Sequence, residues 1–214
     1  LSPSSAASDV YKRQGNTLKV ILATLEELGY RYSYEVLNAK YFGVPQNRER
    51  LFIIAWYQEL VNVNSFMFPY GIDTNGNTIY DKSKLKNGTI TTRVSDILEP
   101  SSTIDEKFTI SDRMWTGHQK RKERNRQNGK GFGFSLFKDD SIYTSTISAR
   151  YWKDGSEILI DQSDKGLNPR TLTPVEAGRL QGYKIIGNGW EHEECAQNQN
   201  NNSSNIEFKI VVSN

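Results

Sequence analysis

Asn38 to Arg50 reads NAKYFGVPQNRER and runs directly into Leu51 to Trp56, LFIIAW. The second stretch is a continuous apolar run of strand length, the pattern of a strand buried on both faces. The first is polar, carries Gly43 and Pro45, and follows neither the helical nor the strand period. Upstream, Leu18, Ile21, Leu22, Leu25 and Leu28 recur at helical spacing. They predict a helix from Thr17 to Leu28, capped by Asn16 or Thr17 and ended by Gly29. Tyr30 to Leu37 alternates aromatic and polar residues, as a strand does. Residues 15–56 therefore read as helix, strand, basic loop, strand, which is the edge of an α/β sheet rather than a whole domain.

Downstream the character changes. From Tyr57 to about Lys165, glycine, asparagine and charge interrupt short apolar periods, which predicts a smaller, irregular, β-rich domain. One helix is expected from Ser111 to Arg126, and strands at Gly133–Phe137, Ile142–Ala149 and Glu157–Ile160. Thr173-Pro174-Val175-Glu176 places a cap, a first-turn proline and a third-position glutamate at the start of a helix that Gly182 ends. Leu1 to Gln14 is small, polar and aperiodic, and reads as a non-native or disordered tail. Gln197 to Asn205, QNQNNNSSN, reads as an unstructured low-complexity loop before a short FKIVVS run.

Composition removes several classes of function. The 214 residues are 36% hydrophobic and 24% charged, with a net charge of +2. No stretch approaches the ~18 apolar residues of a membrane span. A single cysteine excludes an internal disulfide, and His118 and His192 lack metal-ligand spacing.

The chemistry concentrates in two places. In VPQNRER, Gln46, Arg48 and Arg50 fall at alternate positions and would share one face of an extended loop. Phosphate oxygens or a base carbonyl suit two such guanidiniums, whereas spacing alone favours an ordinary solvated loop. The second place is Lys120, Arg121, Lys122, Arg124, Arg126 and Lys130, set against Glu123 and followed by NGKGFGF. A charge run is usually a solvated face, but basic side chains beside flexible glycines also suit a DNA groove. His118 and Gln119 are candidates to read bases, although a half-buried histidine is an equal alternative. Trp115, Phe132 and Phe134 are expected in the small domain's core rather than as stacking platforms.

NAKYFGVPQNRERLFIIA resembles the eighth conserved motif of the DNA cytosine-5 methyltransferases, and RTLTPVEAGRLQGY, Arg170 to Tyr183, resembles their ninth. GNTLKVILATLEELGY resembles the helix before the eighth motif. GHQKRKERNRQNGKGFGFSLF and TSTISARYWKDGSEILIDQ resemble the target-recognition domain of a subgroup that methylates CCNGG or CCWGG sites. The resemblance covers residues 15–183 and implies an α/β fold: a truncated Rossmann-like methyltransferase domain with a small, irregular, β-rich target-recognition domain. The implied division is 1–14 tail, 15–56 end of the catalytic domain, 57–165 target recognition, and 166–214 ninth-motif helix, low-complexity loop and truncated end.

The resemblance also implies roles. The target cytosine is extruded from double-stranded DNA, attacked at C6 by a cysteine thiolate, and methylated at C5 from S-adenosylmethionine. Arg50 would donate to cytosine O2, Arg48 would hold loop and substrate, and Gln46 would brace the loop beside the DNA. Thr146 would touch a phosphate beside the flipped base. Arg170, Glu176, Arg179 and Gln181 would support the recognition domain. The family's Pro-Cys-Gln nucleophile loop, its Glu-Asn-Val motif and its glycine-rich cofactor loop do not occur in this sequence, and Cys195, in HEECAQ, reads as a surface residue. KIIGNGWEHEECAQNQNNNSSN departs from the family as a local insertion. The expectation is thus a fragment that is inactive alone, from a cytoplasmic, bacterial-type, monomeric enzyme of restriction–modification or orphan methylation. The alternatives are an inactive sequence-specific DNA-binding module and half of a split enzyme completed by a second chain.

Overall fold

The computed structural model describes residues 4–57, 59, 66–85, 90–186, 189–192 and 210–211, with side chains from 15 to 183. In chain order the elements are α1 (Ser4–Glu27), β1 (Tyr30–Asn38), β2 (Glu49–Tyr57), β3 (Gly71–Ile72), β4 (Thr78–Ile79), α2 (Asp112–Gln127), β5 (Leu136–Phe137), α3 (Tyr151–Asp154), β6 (Leu159–Ile160), α4 (Pro174–Leu180), β7 (Tyr183–Ile186), β8 (Gly189–His192) and β9 (Ile210–Val211), joined by loops and short 3-10 turns. The chain divides into two compact units: residues 1–37, 50–68 and 199–214, and residues 38–49 and 69–198.

In the first unit β1, β2 and β9 form a sheet in that order, with Ile53 opposite Val211 and Ile54 opposite Ile210 in the antiparallel β2–β9 pair. Ile210 and Val211, within the FKIVVS run, thus pair with the apolar run of β2. The two strands expected from the sequence are present. The expected helix is only the second half of α1, and residues 4–14 are helical where a disordered tail was expected. No proline interrupts them, Gly15 costs only about 1 kcal/mol relative to alanine, and extending a helix is easier than starting one. At its end Gly29 has φ +79°, and a side chain there would meet the Tyr57 ring at 3.1 Å. The apolar stripe is incompletely covered: Leu18, Leu22 and Leu25 are half-buried, while Ile21 and Leu28 are exposed. In LFIIAW only Ile54 and Trp56 are fully buried, at alternate positions. One face of β2 is therefore better covered than the other, rather than both equally.

The second unit packs Val94, Ile97, Ile158, Ile160, Leu172 and Leu180 into its core. Its strands are shorter than the sequence suggests. Of the expected Gly133–Phe137 and Glu157–Ile160, only Leu136–Phe137 and Leu159–Ile160 pair, in parallel. Ile142 to Ala149 forms no strand and makes one bridge, between Thr144 and Gln46. Its partner loop carries Pro45, which has no N–H to give a ladder. Its hydroxyls also compete for backbone: Thr144 Oγ1 donates to the Ser145 carbonyl at 3.0 Å and Thr146 Oγ1 to the Asn47 carbonyl at 2.8 Å.

Both expected helices of this unit form. Ser111 Oγ accepts the Met114 N–H at the start of α2. Thr173 and Glu176 make the reciprocal capping box of α4, with Pro174 in its first turn. Beyond α4, β7 and β8 pair antiparallel at the start of the segment read as an insertion, with Tyr183 opposite His192 and Ile186 opposite Gly189. Cys195 and the Gln197–Asn205 loop lie outside the described residues.

Candidate nucleic-acid interface

The loop that carries Gln46 and Arg48 is pinned at its base by Asn38. The Asn38 Oδ1 accepts from the backbone N–H of Lys40 and of Arg48, each at 3.2 Å, and its Nδ2 donates to Asn47 Oδ1 at 2.7 Å. The Ala39 N–H reaches the Arg48 carbonyl at 3.0 Å. At the tip, Thr144 N–H donates to the Pro45 carbonyl at 2.8 Å, and Asn47 N–H to the Thr144 carbonyl at 2.9 Å. A loop of this kind ordinarily leaves its backbone to water, yet here it is bonded on both sides.

Gln46 completes the brace. It is 1% exposed. Its Nε2 donates to the Leu180 carbonyl at 2.9 Å, and its Oε1 accepts the Ile147 N–H at 3.2 Å. The alternation of Gln46, Arg48 and Arg50 therefore does not yield one shared polar face, and Gln46 has no surface to offer DNA. A buried primary amide must satisfy both ends, and only an inward rotamer does so. Arg48 stays half-buried on the pinned loop, while Arg50 is half-buried at the start of β2 and is grouped with the first unit. Thr146 also differs from expectation, because its single hydroxyl proton goes to the Asn47 carbonyl. A phosphate can only accept, so this rotamer leaves it no hydroxyl donor.

The ninth-motif segment meets this loop at the Leu180 carbonyl. Arg170 and Glu176 pair through two hydrogen bonds, of 2.7 and 2.8 Å, with side chains 5% and 0% exposed. Glu176 also accepts from the backbone N–H of Thr173 and of Glu99, each at 2.9 Å. Its carboxylate is thus bonded by three residues, which offsets the desolvation that makes most buried pairs costly. Arg179 donates to the Ile97 carbonyl at 3.2 Å, and Gln181 caps the end of α4. Nearby, burial pushes the Tyr151 phenol well above its usual value. It therefore remains a donor, to the Ile158 carbonyl at 2.6 Å, while accepting the Leu172 N–H at 2.8 Å.

The basic cluster on α2 separates into two sets. Arg121 is half-buried and fully engaged: its guanidinium donates to the Gly133 carbonyl at 3.1 Å, to Asp154 Oδ2 at 3.0 Å and to His118 Nδ1 at 2.9 Å. It clamps α2 to the Asp154 turn and to the Gly133 loop, and Glu123 is not the cluster's only acidic partner. Arg126 forms a two-point pair with Glu123, and Lys122 Nζ sits 4.2 Å from the centre of the Phe134 ring. Lys120, Arg124 and Lys130 are exposed, with no ion-pair partner among the described residues. Lys120 and Arg124 are one turn apart, and Arg113, which the sequence reading passed over, falls on the same face two turns before Lys120.

His118 does not read bases. It is 4% exposed, with Nε2 3.2 Å from the Asp154 carbonyl. Burial, and then the Arg121 guanidinium, hold its pKa below the ordinary histidine value. Trp115 and Phe134 pack edge to face at 4.8 Å, as the core reading expects, whereas Phe132 is half exposed. Gly133 explains the close approach of this loop, since a side chain there would strike the Lys122 backbone.

A family model described as C-5 cytosine-specific DNA methylase matches residues 10–198. The type II methyltransferase M.SsoII of Shigella sonnei is 51% identical over 171 residues, which are 79% of this chain and 40% of that protein. The type II methyltransferase M1.ScrFI of Lactococcus lactis subsp. cremoris is 48% identical over the same share of this chain and 39% of its own length. The present chain thus spans about two fifths of these curated relatives. Among solved structures, the S. pombe Dnmt2 methyltransferase matches with a TM-score of 0.54 at 17% identity, covering 78% of this chain and 50% of that one. That likeness establishes an α/β, Rossmann-like methyltransferase fold. With a family model matching most of its length and relatives near half identical, the chain belongs to the C-5 cytosine-specific DNA methylases.

Proposed function

We propose that this chain is the DNA-gripping and target-orienting part of a DNA (cytosine-5)-methyltransferase of the type II restriction–modification kind, acting on double-stranded DNA. The observation that carries the reading is the pinned loop. The Arg48 backbone is bonded to Asn38 and Ala39, and the residues before it are held by Thr144 and by the Gln46–Leu180 contact. A rigid scaffold under a cation costs little reorganisation when an anion arrives. Arg50 donates to O2 of the extruded cytosine, Arg48 holds loop and substrate, and Lys120, Arg124 and Lys130 contact phosphate. Under the same reading, 15–56 closes the catalytic domain, 57–165 recognises the target, and 166–214 supports it. The working enzyme is a cytoplasmic monomer of bacterial type. Among the described residues, no helix is long and apolar enough to cross a membrane.

The family uses S-adenosylmethionine, and the cleft described in the second unit does not fit it. A cleft of about 550 Å³ beside Glu99 and Arg170 is lined by Lys138, Asp139, Asp161 and Lys165, with no aromatic ring and no glycine turn for a nucleoside. We assign cofactor and nucleophile to the parts of such an enzyme that this chain does not match, so the chain alone transfers no methyl group. Equilibrium binding to a duplex, measured against salt, tests the gripping role. Micromolar or tighter binding that weakens steeply with salt is expected, and absence of binding at 50 mM salt contradicts it.

A second reading, completion by another chain, rests on a separate observation. Val20, Ile21 and Leu28 of the helix region and Tyr30, Tyr34 and Val36 of β1 are between 37% and 65% exposed. That much apolar surface within one small unit is what a further layer of α/β structure would cover. Co-expression with the amino-terminal part of a relative should yield a complex that co-purifies. Separate elution of the two would remove this reading.

A further inference from the structure

We propose that Trp152 is a base-step reader, a rigidly presented aromatic that packs against the DNA site and contributes sequence preference rather than general affinity. The inference rests on the DNA-gripping role above. Trp152 is 80% exposed, the most of any large hydrophobic residue described in the second unit. Exposing a tryptophan forfeits the burial of a ring worth 150–250 Å², which a partner surface would recover. Its neighbours are Arg150, exposed, and Lys153, whose Nζ lies 5.4 Å from the Trp152 ring centre. A ring with a cation held beside it suits a phosphate-flanked ligand.

The turn beneath the ring is fixed. Asp154 receives Arg121 at 3.0 Å and the Ser156 N–H at 3.1 Å on its carboxylate, and its carbonyl meets His118 Nε2 at 3.2 Å. The Gly155 N–H returns to the Tyr151 carbonyl at 2.9 Å. Gly155 sits at φ +60°, where a side chain would strike Thr171 Cγ2. Tyr151, next to Trp152, is bonded at its hydroxyl on two sides. Through Arg121 the same clamp binds this turn to α2, which carries Lys120 and Arg124, and to Gly133 of the glycine loop. An exposed ring on a preorganised turn pays little ordering cost on binding, as the strongest contact residues do.

The test uses the full chain and a duplex selected by the wild type from a randomised pool. Trp152→Ala should bind the selected duplex about 10-fold more weakly with an unchanged salt slope, and should lose its margin over unselected DNA. Trp152→Phe should retain most of the binding. The thermal midpoint should not move, because the ring is exposed. If Trp152→Ala binds like wild type while Arg124→Ala weakens binding, the inference falls and the gripping role stands. Equal loss on selected and unselected duplexes also overturns it, leaving Trp152 a non-specific contact. If the wild type binds no duplex, both readings fall.

Discussion

The side-chain Nε2 of Gln46 donates to the backbone carbonyl of Leu180 across 134 positions of sequence, at 2.9 Å and out of reach of water. This one bond joins the arginine loop to the end of the ninth-motif helix. Through Arg170, Glu176 and Glu99 that helix is tied in turn to the unit's hydrophobic core.

Gln46→Ala should therefore act on stability. It leaves the Leu180 carbonyl and the Ile147 N–H without their partners, which costs about 1–3 kcal/mol. A lowered urea midpoint with an unchanged slope is expected. An unchanged midpoint together with weakened DNA binding would instead make Gln46 a surface contact.

Glu176→Leu should cost more, on the order of 3–5 kcal/mol, because Arg170 is left charged and buried. The double variant Arg170→Met, Glu176→Leu should recover a substantial part of that loss. Equal destabilisation by the single and double variants would show that the pair does not act as a unit.

The pH dependence follows from His118. Its folded pKa lies below the ordinary value of about 6.5, so near neutrality the neutral ring, donating from Nε2 to Asp154 and accepting from Arg121, is the native form. The unfolded chain then binds more protons, so this contribution is whole above about pH 6.5 and is lost as pH falls from there towards the depressed folded value. Urea unfolding of the wild type between pH 5 and 8 should show that loss, and His118→Gln should flatten it. The same slope in both proteins would place the effect elsewhere.

Arg124 and Arg121, three residues apart, should fail in different ways. Arg124→Ala should weaken binding similarly on all duplexes and lower the salt slope by about one unit, without changing the thermal midpoint. Arg121→Ala should lower the midpoint, since it unties α2 from Asp154 and Gly133. A fall in slope with no loss of stability for Arg121→Ala would return it to the DNA-contacting set.

The sequence was most readable where the cause is local. Ser111 and Thr173 cap their helices, Pro174 opens one, and the Leu18–Leu28 period marks another, because each signal and its consequence lie within two or three turns. It was least readable where the partner is distant. Nothing near Arg121 announces Asp154, so six basic residues looked equivalent until the structure engaged three of them. Nothing near Gln46 announces Leu180, so alternation wrongly turned its amide outward. The Ile142–Ala149 run has strand composition, but its neighbour carries a proline and its own hydroxyls take backbone partners, so it stays a loop.

The most direct test of the account joins this chain to the amino-terminal part of a close relative and measures labelled methyl transfer from S-adenosylmethionine to duplex DNA. Transfer by the joined protein, none by this chain alone, and a loss of about 10²-fold in turnover for Arg50→Ala with binding retained are predicted, as for a donor to charge developing on cytosine O2. Methyl transfer by the chain alone, or an Arg50→Ala protein that turns over normally and only binds DNA less well, would contradict the account.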